Sequence, residues 1–252
     1  MAGYRAPDPG KPHIQRHAHK QTLTARVVGF VLMWSIVGAV ALAAERALPS
    51  EHVPWKPLAL IDPLGAATRI KAARTGEDPA ACREVLQQGG VEFLEVAPRT
   101  SGFCDIHDAV NMEAGMAPLS PRGAPMTCKQ ALAVSIWERQ VVQQAAFDSF
   151  GQAVVRIDHY GTYACRRIYG QDEGAVSQHA TANALDVAGF RLADGTVISV
   201  QKDWSDAGQK GRFLRTVRDG ACKVFLTTLS PDYNAQHHDH FHLDMGGWAK
   251  CA

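Results

Sequence analysis

The fold is decided by two stretches, SQHATANALD at residues 177–186 and HHDHFHLD at residues 237–244. Successive side chains of a strand point to opposite faces of a sheet. In the second stretch this alternation places His240, His242 and Asp244 on one face and apolar residues on the other. Because the apolar face must pack on a core, we expect the histidine face to line a cleft or to face solvent.

The first stretch predicts a strand with an open face beside a carboxylate. Ala182, Ala184 and Ala188 share one face with Asp186. A strand that does not border a ligand site normally carries larger, β-branched side chains at these positions. The three alanines therefore leave room for a ligand to approach Asp186 closely.

Imidazole and carboxylate groups are typical zinc ligands, and a catalytic zinc ion keeps three protein ligands and one position for water. His179, Asp186 and one histidine of the second stretch would supply these three ligands. The spacing does not separate His240 from His242, because both point to the same side of the strand. The sequence therefore predicts a zinc site and leaves the third ligand open.

The flanking periodicities predict an α+β domain in which a small antiparallel sheet carries the zinc site and helices flank it. The expected helices are at residues 78–88, 128–150 (ended by Gly151) and from 211 to about Gly220. The expected strands are at residues 153–161, 182–192, 196–200, 225–229 and 240–245. Residues 95–126 are expected to be irregular.

The N-terminal segment predicts a membrane anchor. Residues 1–26 form a basic tail, and residues 27–44 are free of charge. Eighteen helical residues at 1.5 Å each reach about 27 Å, enough for a thin bilayer core. The basic flank favours a cytoplasmic tail, a single-pass anchor in the inner membrane and a periplasmic domain at residues 79–252. A cleaved signal is the alternative, and the proline-containing residues 45–78 are expected to be a linker.

Six cysteines follow the apolar segment and no CxxC pair occurs, which favours disulfides over a thiolate metal site. The expected pairs are Cys82–Cys104, Cys165–Cys222 and Cys128–Cys251. The formal net charge is only +1, so a nucleic-acid partner is not expected.

The first stretch, S-x-H-x-x-A-x-A-x-D, resembles the S-x-H-x-x-G-x-A-x-D motif of the zinc peptidases that include lysostaphin-type enzymes, D-alanyl-D-alanine peptidases and the hedgehog signalling domain. The second stretch is similar to their paired-histidine motif. Together with Y-A-C-R-R at 163–167 and Asp203-Trp204, the region from about Cys82 to Cys251 resembles the bacterial extensin-like C-terminal domain family. Ala182 stands where many of these peptidases have glycine.

This resemblance implies that His179, Asp186 and His242 bind zinc. It implies that Asp239 is the general base and that His240 stabilises the oxyanion, which requires a bend at residues 239–240 because strict alternation would point Asp239 away.

The resemblance also implies that an upstream arginine, Arg166, faces the substrate. The expected function is zinc-dependent cleavage of a peptidoglycan peptide bond, as by a D-alanyl-D-alanine carboxypeptidase or an endopeptidase. The alternatives are a non-catalytic zinc-containing domain that binds cell wall or protein, and a zinc hydrolase of another exported amide.

Overall fold

A computed structural model describes residues 22–246 and 248–252, which fall into two compact units divided after Leu48. The first unit contains helix α1, Leu23–Ala47, which is long and apolar enough to span a membrane. Such a helix is compatible with a single-pass anchor or with a signal sequence. The expected apolar run at 27–44 lies within α1, whereas most of the expected basic tail lies outside the described residues.

The second unit, Pro49–Ala252, is an α+β domain. Its helices are α2 (Thr68–Thr75), α3 (Pro79–Gln88), α4 (Cys128–Trp137), α5 (Gln143–Phe150), α6 (Val200–Asp203) and α7 (Gln209–Val224). Its strands are β1 (Glu92–Val96), β2 (Ala109–Ala114), β3 (Leu119–Ser120), β4 (Ala124–Thr127), β5 (Val154–Gly161), β6 (Ala184–Leu192), β7 (Val197–Ser199), β8 (Thr227–Leu229), β9 (Phe241–Asp244) and β10 (Lys250–Cys251).

The helix predicted at residues 128–150 is confirmed as α4 and α5, joined by a π-helical turn at Glu138–Val142. It begins where the Thr127 hydroxyl accepts a hydrogen bond from the amide of Gln130. It ends at Gly151, whose φ of +68° is a conformation that glycine adopts without strain.

The strands form two sheets, with the orders β1-β2-β4 and β10-β8-β9-β6-β5-β3; strand β7 also pairs with β6. The larger sheet is mixed rather than antiparallel throughout, because β3 runs parallel to β5 and β10 runs parallel to β8. Its central strands β6 and β9 are antiparallel, and their register sets Asp186 opposite His242 and Ala184 opposite Asp244. This pairing brings the two sequence stretches together.

Aromatic side chains fill the core between the larger sheet and helices α4 and α7. The Trp137 ring lies 6.0 Å from Phe190 and 6.1 Å from Phe225, and its indole N–H donates to the Val217 carbonyl. Phe241, on the apolar face of β9, is fully buried. The apolar face predicted for residues 240–245 therefore packs on the core, and the histidine face points away from it.

Three expectations about the chain's organisation were wrong. Helix α7 continues past Gly220, because this glycine allows close helix packing: a Cβ there would lie 2.2 Å from Val141. The region expected to be irregular contains β2, β3 and β4, which are only 6, 2 and 4 residues long. Residues 45–78 are not an extended linker, because α2 lies among them and their apolar side chains Val53, Leu58, Leu60 and Ala72 are buried.

All six cysteines form disulfides, but the expected pairing was wrong. The pairs are Cys82–Cys128, Cys104–Cys165 and Cys222–Cys251. Cys82 meets Cys128 because helix α3 packs beside the start of α4. Sequence proximity did not anticipate these contacts, which join helices, loops and a strand that are distant in the sequence.

Candidate metal centre

His179 lies on a short 3₁₀ turn, Gln178–Thr181, immediately before β6. The Ser177 hydroxyl accepts a hydrogen bond from the His179 amide and fixes the start of this turn. The turn ends at Ala182, whose φ of +55° is left-handed, and the chain then enters the sheet. A glycine would adopt this conformation at position 182 without the strain that a Cβ imposes.

His179, Asp186 and His242 converge on one point. His179 Nε2 lies 3.1 Å from Asp186 Oδ2 and 3.2 Å from His242 Nδ1, and His242 Nδ1 lies 2.9 Å from Asp186 Oδ1. A tetrahedral zinc ion with bonds of about 2.0–2.1 Å would separate its ligand atoms by about 3.3 Å. The spacing and the chemistry of these three donors therefore fit such an ion, and they form a grouping able to hold a metal.

Each histidine of the grouping has its other ring nitrogen held by an acceptor. His179 Nδ1 lies 3.3 Å from the Thr162 carbonyl oxygen, and His242 Nε2 lies 3.0 Å from Asp244 Oδ2. If each histidine keeps its N–H at these positions when a metal is bound, His179 Nε2 and His242 Nδ1 would be left to coordinate it; in the structure, both nitrogens lie within hydrogen-bond distance of the Asp186 carboxylate. Outer partners of this kind orient the histidine ligands of metal sites.

The electrostatics of the grouping favour positive charge. Burial by itself would raise the pKa of Asp186, but hydrogen bonds from His179 and His242 outweigh burial and hold the pKa below its ordinary value. Burial would likewise lower the pKa of His242, but Asp186 and Asp244 raise it to about 9. A carboxylate that stays ionised among imidazoles is suited to a cation.

The residues 238–240 form a turn before β9, which supplies the expected bend. His240 Nδ1 lies 2.8 Å from Asp239 Oδ1, and His240 Nε2 lies 3.5 Å from Asp186 Oδ1. The Tyr160 hydroxyl also hydrogen bonds to Asp239; burial and then this carboxylate raise the pKa of Tyr160. His240 thus reaches the grouping, and Asp239 lies behind it.

A cavity of about 550 Å³ opens onto the metal grouping. Among the described residues that line it are Arg166 and His240, but not Asp239. It is also lined by residues that the sequence did not identify as catalytic or metal-binding, namely Tyr169, Tyr233, His237, Trp248 and Lys250. These residues follow no regular spacing; the only local signal was the density of histidines before β9.

Of these, His237 is the most closely integrated with the grouping. Its Nδ1 lies 2.7 Å from the Asn234 side-chain oxygen, and its ring centre lies 5.2 Å from His240 and 5.8 Å from His242. Burial, together with these two histidines, lowers its pKa to about 4. His237 is therefore a neutral side chain that supports the wall of the cavity.

The fold and the grouping define a disulfide-linked α+β domain with a histidine and aspartate cluster able to hold a metal ion. The family described as extensin-like protein C-terminus matches residues 80–252, more than half of the chain. The chain therefore belongs to this family, as its resemblance indicated. No curated protein and no solved structure matches the chain.

Proposed function

We propose that this protein is a zinc-dependent peptidase that cleaves an amide bond in peptidoglycan peptides. The observation that carries the proposal is the convergence of His179, Asp186 and His242, whose ligand atoms all lie within 4.8 Å of one another. The cavity beside them is large enough for a short peptide segment and falls in the usual size range of ligand sites.

The three converging residues would hold the ion, and bound zinc would polarise the amide carbonyl and acidify a water molecule. Asp239 would act as the general base, accepting a proton from the attacking water molecule in the cavity and passing it to the leaving amine. Because Asp239 lies behind His240, this step requires its carboxylate to rotate towards the cavity. His240 lines the cavity and can donate a hydrogen bond to the oxygen that becomes negative.

Arg166 would bind a carboxylate of the substrate at the cavity wall. Its side chain is exposed, and its guanidinium group can donate two parallel hydrogen bonds to a carboxylate. The neighbouring Cys165 is bonded to Cys104, which ties this segment to the rest of the domain.

The proposed compartment is supported by α1 and by the disulfides. We propose that α1 anchors the protein in the inner membrane, with the basic tail in the cytoplasm and the domain in the periplasm. Three disulfides suit an oxidising compartment, and peptidoglycan is the peptide-bearing polymer found there.

The proposal is tested by incubating the purified protein with muropeptides and identifying products by mass spectrometry. We expect a product that disappears with a chelator and returns with added zinc. Asp239→Ala should abolish that product while zinc content and circular dichroism stay unchanged, and His238→Ala is the matched control on the same turn. If no product disappears when the chelator is added, the proposal that peptidoglycan peptides are the substrate is wrong.

A second candidate is a non-catalytic zinc domain that binds cell wall or protein. The observation that favours it is the position of Asp239, whose carboxylate is engaged by His240 and Tyr160 rather than exposed to the cavity. If Asp239→Ala left the zinc-dependent cleavage unchanged, Asp239 would not be the base. If the wild type bound muropeptides without cleaving them, the binding function would be favoured.

A further inference from the structure

Lys250 lies on β10, the strand at one end of the larger sheet. The sheet order places β8 and β9 between β10 and β6, whereas Arg166 follows β5 on the far side of β6. Both cations nevertheless line the cavity that contains the metal grouping. The cavity therefore contains two basic side chains that come from different parts of the fold.

Neither cation is neutralised within the part of the chain that the structure describes. No carboxylate there forms an ion pair with Lys250 or Arg166. The acidic residues that line the cavity are Asp186 and Asp244, and both are engaged by histidines. The two basic groups are thus available to an anionic ligand.

The backbone of Lys250 is tied to the domain, and its side chain contacts an aromatic ring. Its ammonium group lies 4.2 Å from the centre of the Tyr233 ring, and its backbone amide donates to the Leu226 carbonyl. The next residue, Cys251, is bonded to Cys222 on α7. A constrained cation loses less conformational entropy when it binds a ligand.

We propose that Lys250 and Tyr233 form a subsite for a carboxylate of the substrate, so that the cavity favours peptides that carry a second carboxylate besides the one bound by Arg166. This inference rests on the proposed function, because it names the substrate class of the same cavity. Arg166 would bind one carboxylate and Lys250 the other. An ammonium group supplies charge-assisted hydrogen bonds, which are stronger than neutral ones.

The test measures peptide binding by fluorescence anisotropy in the presence of a chelator, so that cleavage does not contribute. Three labelled tetrapeptides differ only at the C-terminal residue: alanine with a free carboxylate, alanine amide and glutamate amide. Measurements use the Arg166→Ala background, in which Lys250 is the remaining one of the two cations. We expect one of the two anionic peptides to bind about tenfold more tightly than the neutral one.

The preference should disappear when Lys250→Ala is added and persist with Lys250→Arg, which keeps the charge. Lys223→Ala is the matched control, because Lys223 is an exposed lysine on α7 outside the cavity lining. Which anionic peptide is preferred distinguishes a terminal from a side-chain carboxylate.

Equal binding of all three peptides, or a preference that survives Lys250→Ala, would overturn the subsite. Because binding is measured without metal, the subsite can hold even if no cleavage occurs, and cleavage can hold if the subsite fails.

Discussion

Two carboxylates enclosed by this domain have opposite properties. Glu138 lies at the π-helical turn between α4 and α5 and accepts hydrogen bonds from the amides of Met116 and Ala117. Burial, the largest effect there, raises its pKa to about 7. Asp186 lies on β6 and faces two histidines, whose hydrogen bonds hold its pKa below the ordinary value despite burial.

The difference shows what makes a carboxylate a metal ligand. Backbone amides at Glu138 do not offset the cost of burying a charge, so this group takes up a proton near neutral pH. The imidazoles at Asp186 favour the ionised form by donating hydrogen bonds to it, and the same two ring nitrogens would coordinate a metal once those protons are displaced. Burial alone therefore does not make Glu138 a candidate metal ligand. Asp186 is a candidate ligand because two histidines lie beside it.

The largest effect is expected from Asp186→Asn. This change removes the charge but keeps the shape, and we expect zinc affinity to fall by more than about 100-fold, because loss of even an outer partner costs 10–100-fold. Competition with a chromophoric chelator measures the affinity. Glu138→Gln is the control and should leave zinc affinity unchanged; a similar loss in both variants would remove the distinction between the two carboxylates.

Glu138 should make stability depend on pH in the opposite sense to an ordinary ion-paired acid. Its pKa is about 7 in the folded protein and 4.5 as its reference value, so the folded state binds the proton more tightly. Glu138 contributes its full stabilisation below pH 4.5. As pH rises from there to about 7, its contribution to the free energy of unfolding falls by about 3 kcal/mol.

Urea unfolding of the wild type and of Glu138→Gln, with chelator and intact disulfides, tests this expectation. The difference in free energy of unfolding between the two proteins should shift by that amount across the window and stay constant above it. A difference that does not vary with pH would show that Glu138 ionises normally.

Asp244 adds a third carboxylate to this comparison. It contacts the proposed ligand His242 but is not itself one of the three proposed ligands. It is 4% exposed, and its Oδ1 accepts a hydrogen bond from the Gly246 amide while Oδ2 faces His242. We expect Asp244→Asn to weaken zinc binding by about 10–100-fold, less than Asp186→Asn. An effect as large as that of Asp186→Asn would make Asp244 a ligand itself.

The smallest effect is expected from Ala182→Gly. The left-handed conformation at Ala182 costs about 1 kcal/mol, which glycine relieves. The Ala182 methyl is fully buried against Ile106 and Ala109, and losing it costs about 0.8 kcal/mol. These contributions nearly cancel, so the thermal midpoint should move by only a few degrees. A large destabilisation would show that packing, rather than strain, decides this position.

The sequence predicted strands β6 and β9, which carry two of the proposed ligands, far better than the other residues that line the cavity. Strands β6 and β9 were predictable because their alternation is strong, and that alternation placed Asp186 and His242 on the ligand face. Strand β1 was not anticipated, since no residue along it is fully buried and its apolar face is incomplete.

The other residues that line the cavity are placed by contacts between distant parts of the chain, which local sequence patterns do not contain. Tyr233 and Lys250 reach the cavity through loop geometry and through the pairing of β10 with β8. The disulfides likewise join parts of the chain that are distant in the sequence, and six cysteines allow 15 pairings. Asp239 was assigned by resemblance, and its role as a base stays a prediction.

The most direct test of the central claim is the zinc content of the purified protein and of His242→Ala, with His238→Ala as control. His238 is exposed, and its Nδ1 faces the Ala235 carbonyl rather than the grouping. We expect about one zinc ion per chain in the wild type and in His238→Ala, and none in His242→Ala. Equal zinc in all three proteins would contradict the assignment of His179, Asp186 and His242 as the ligands.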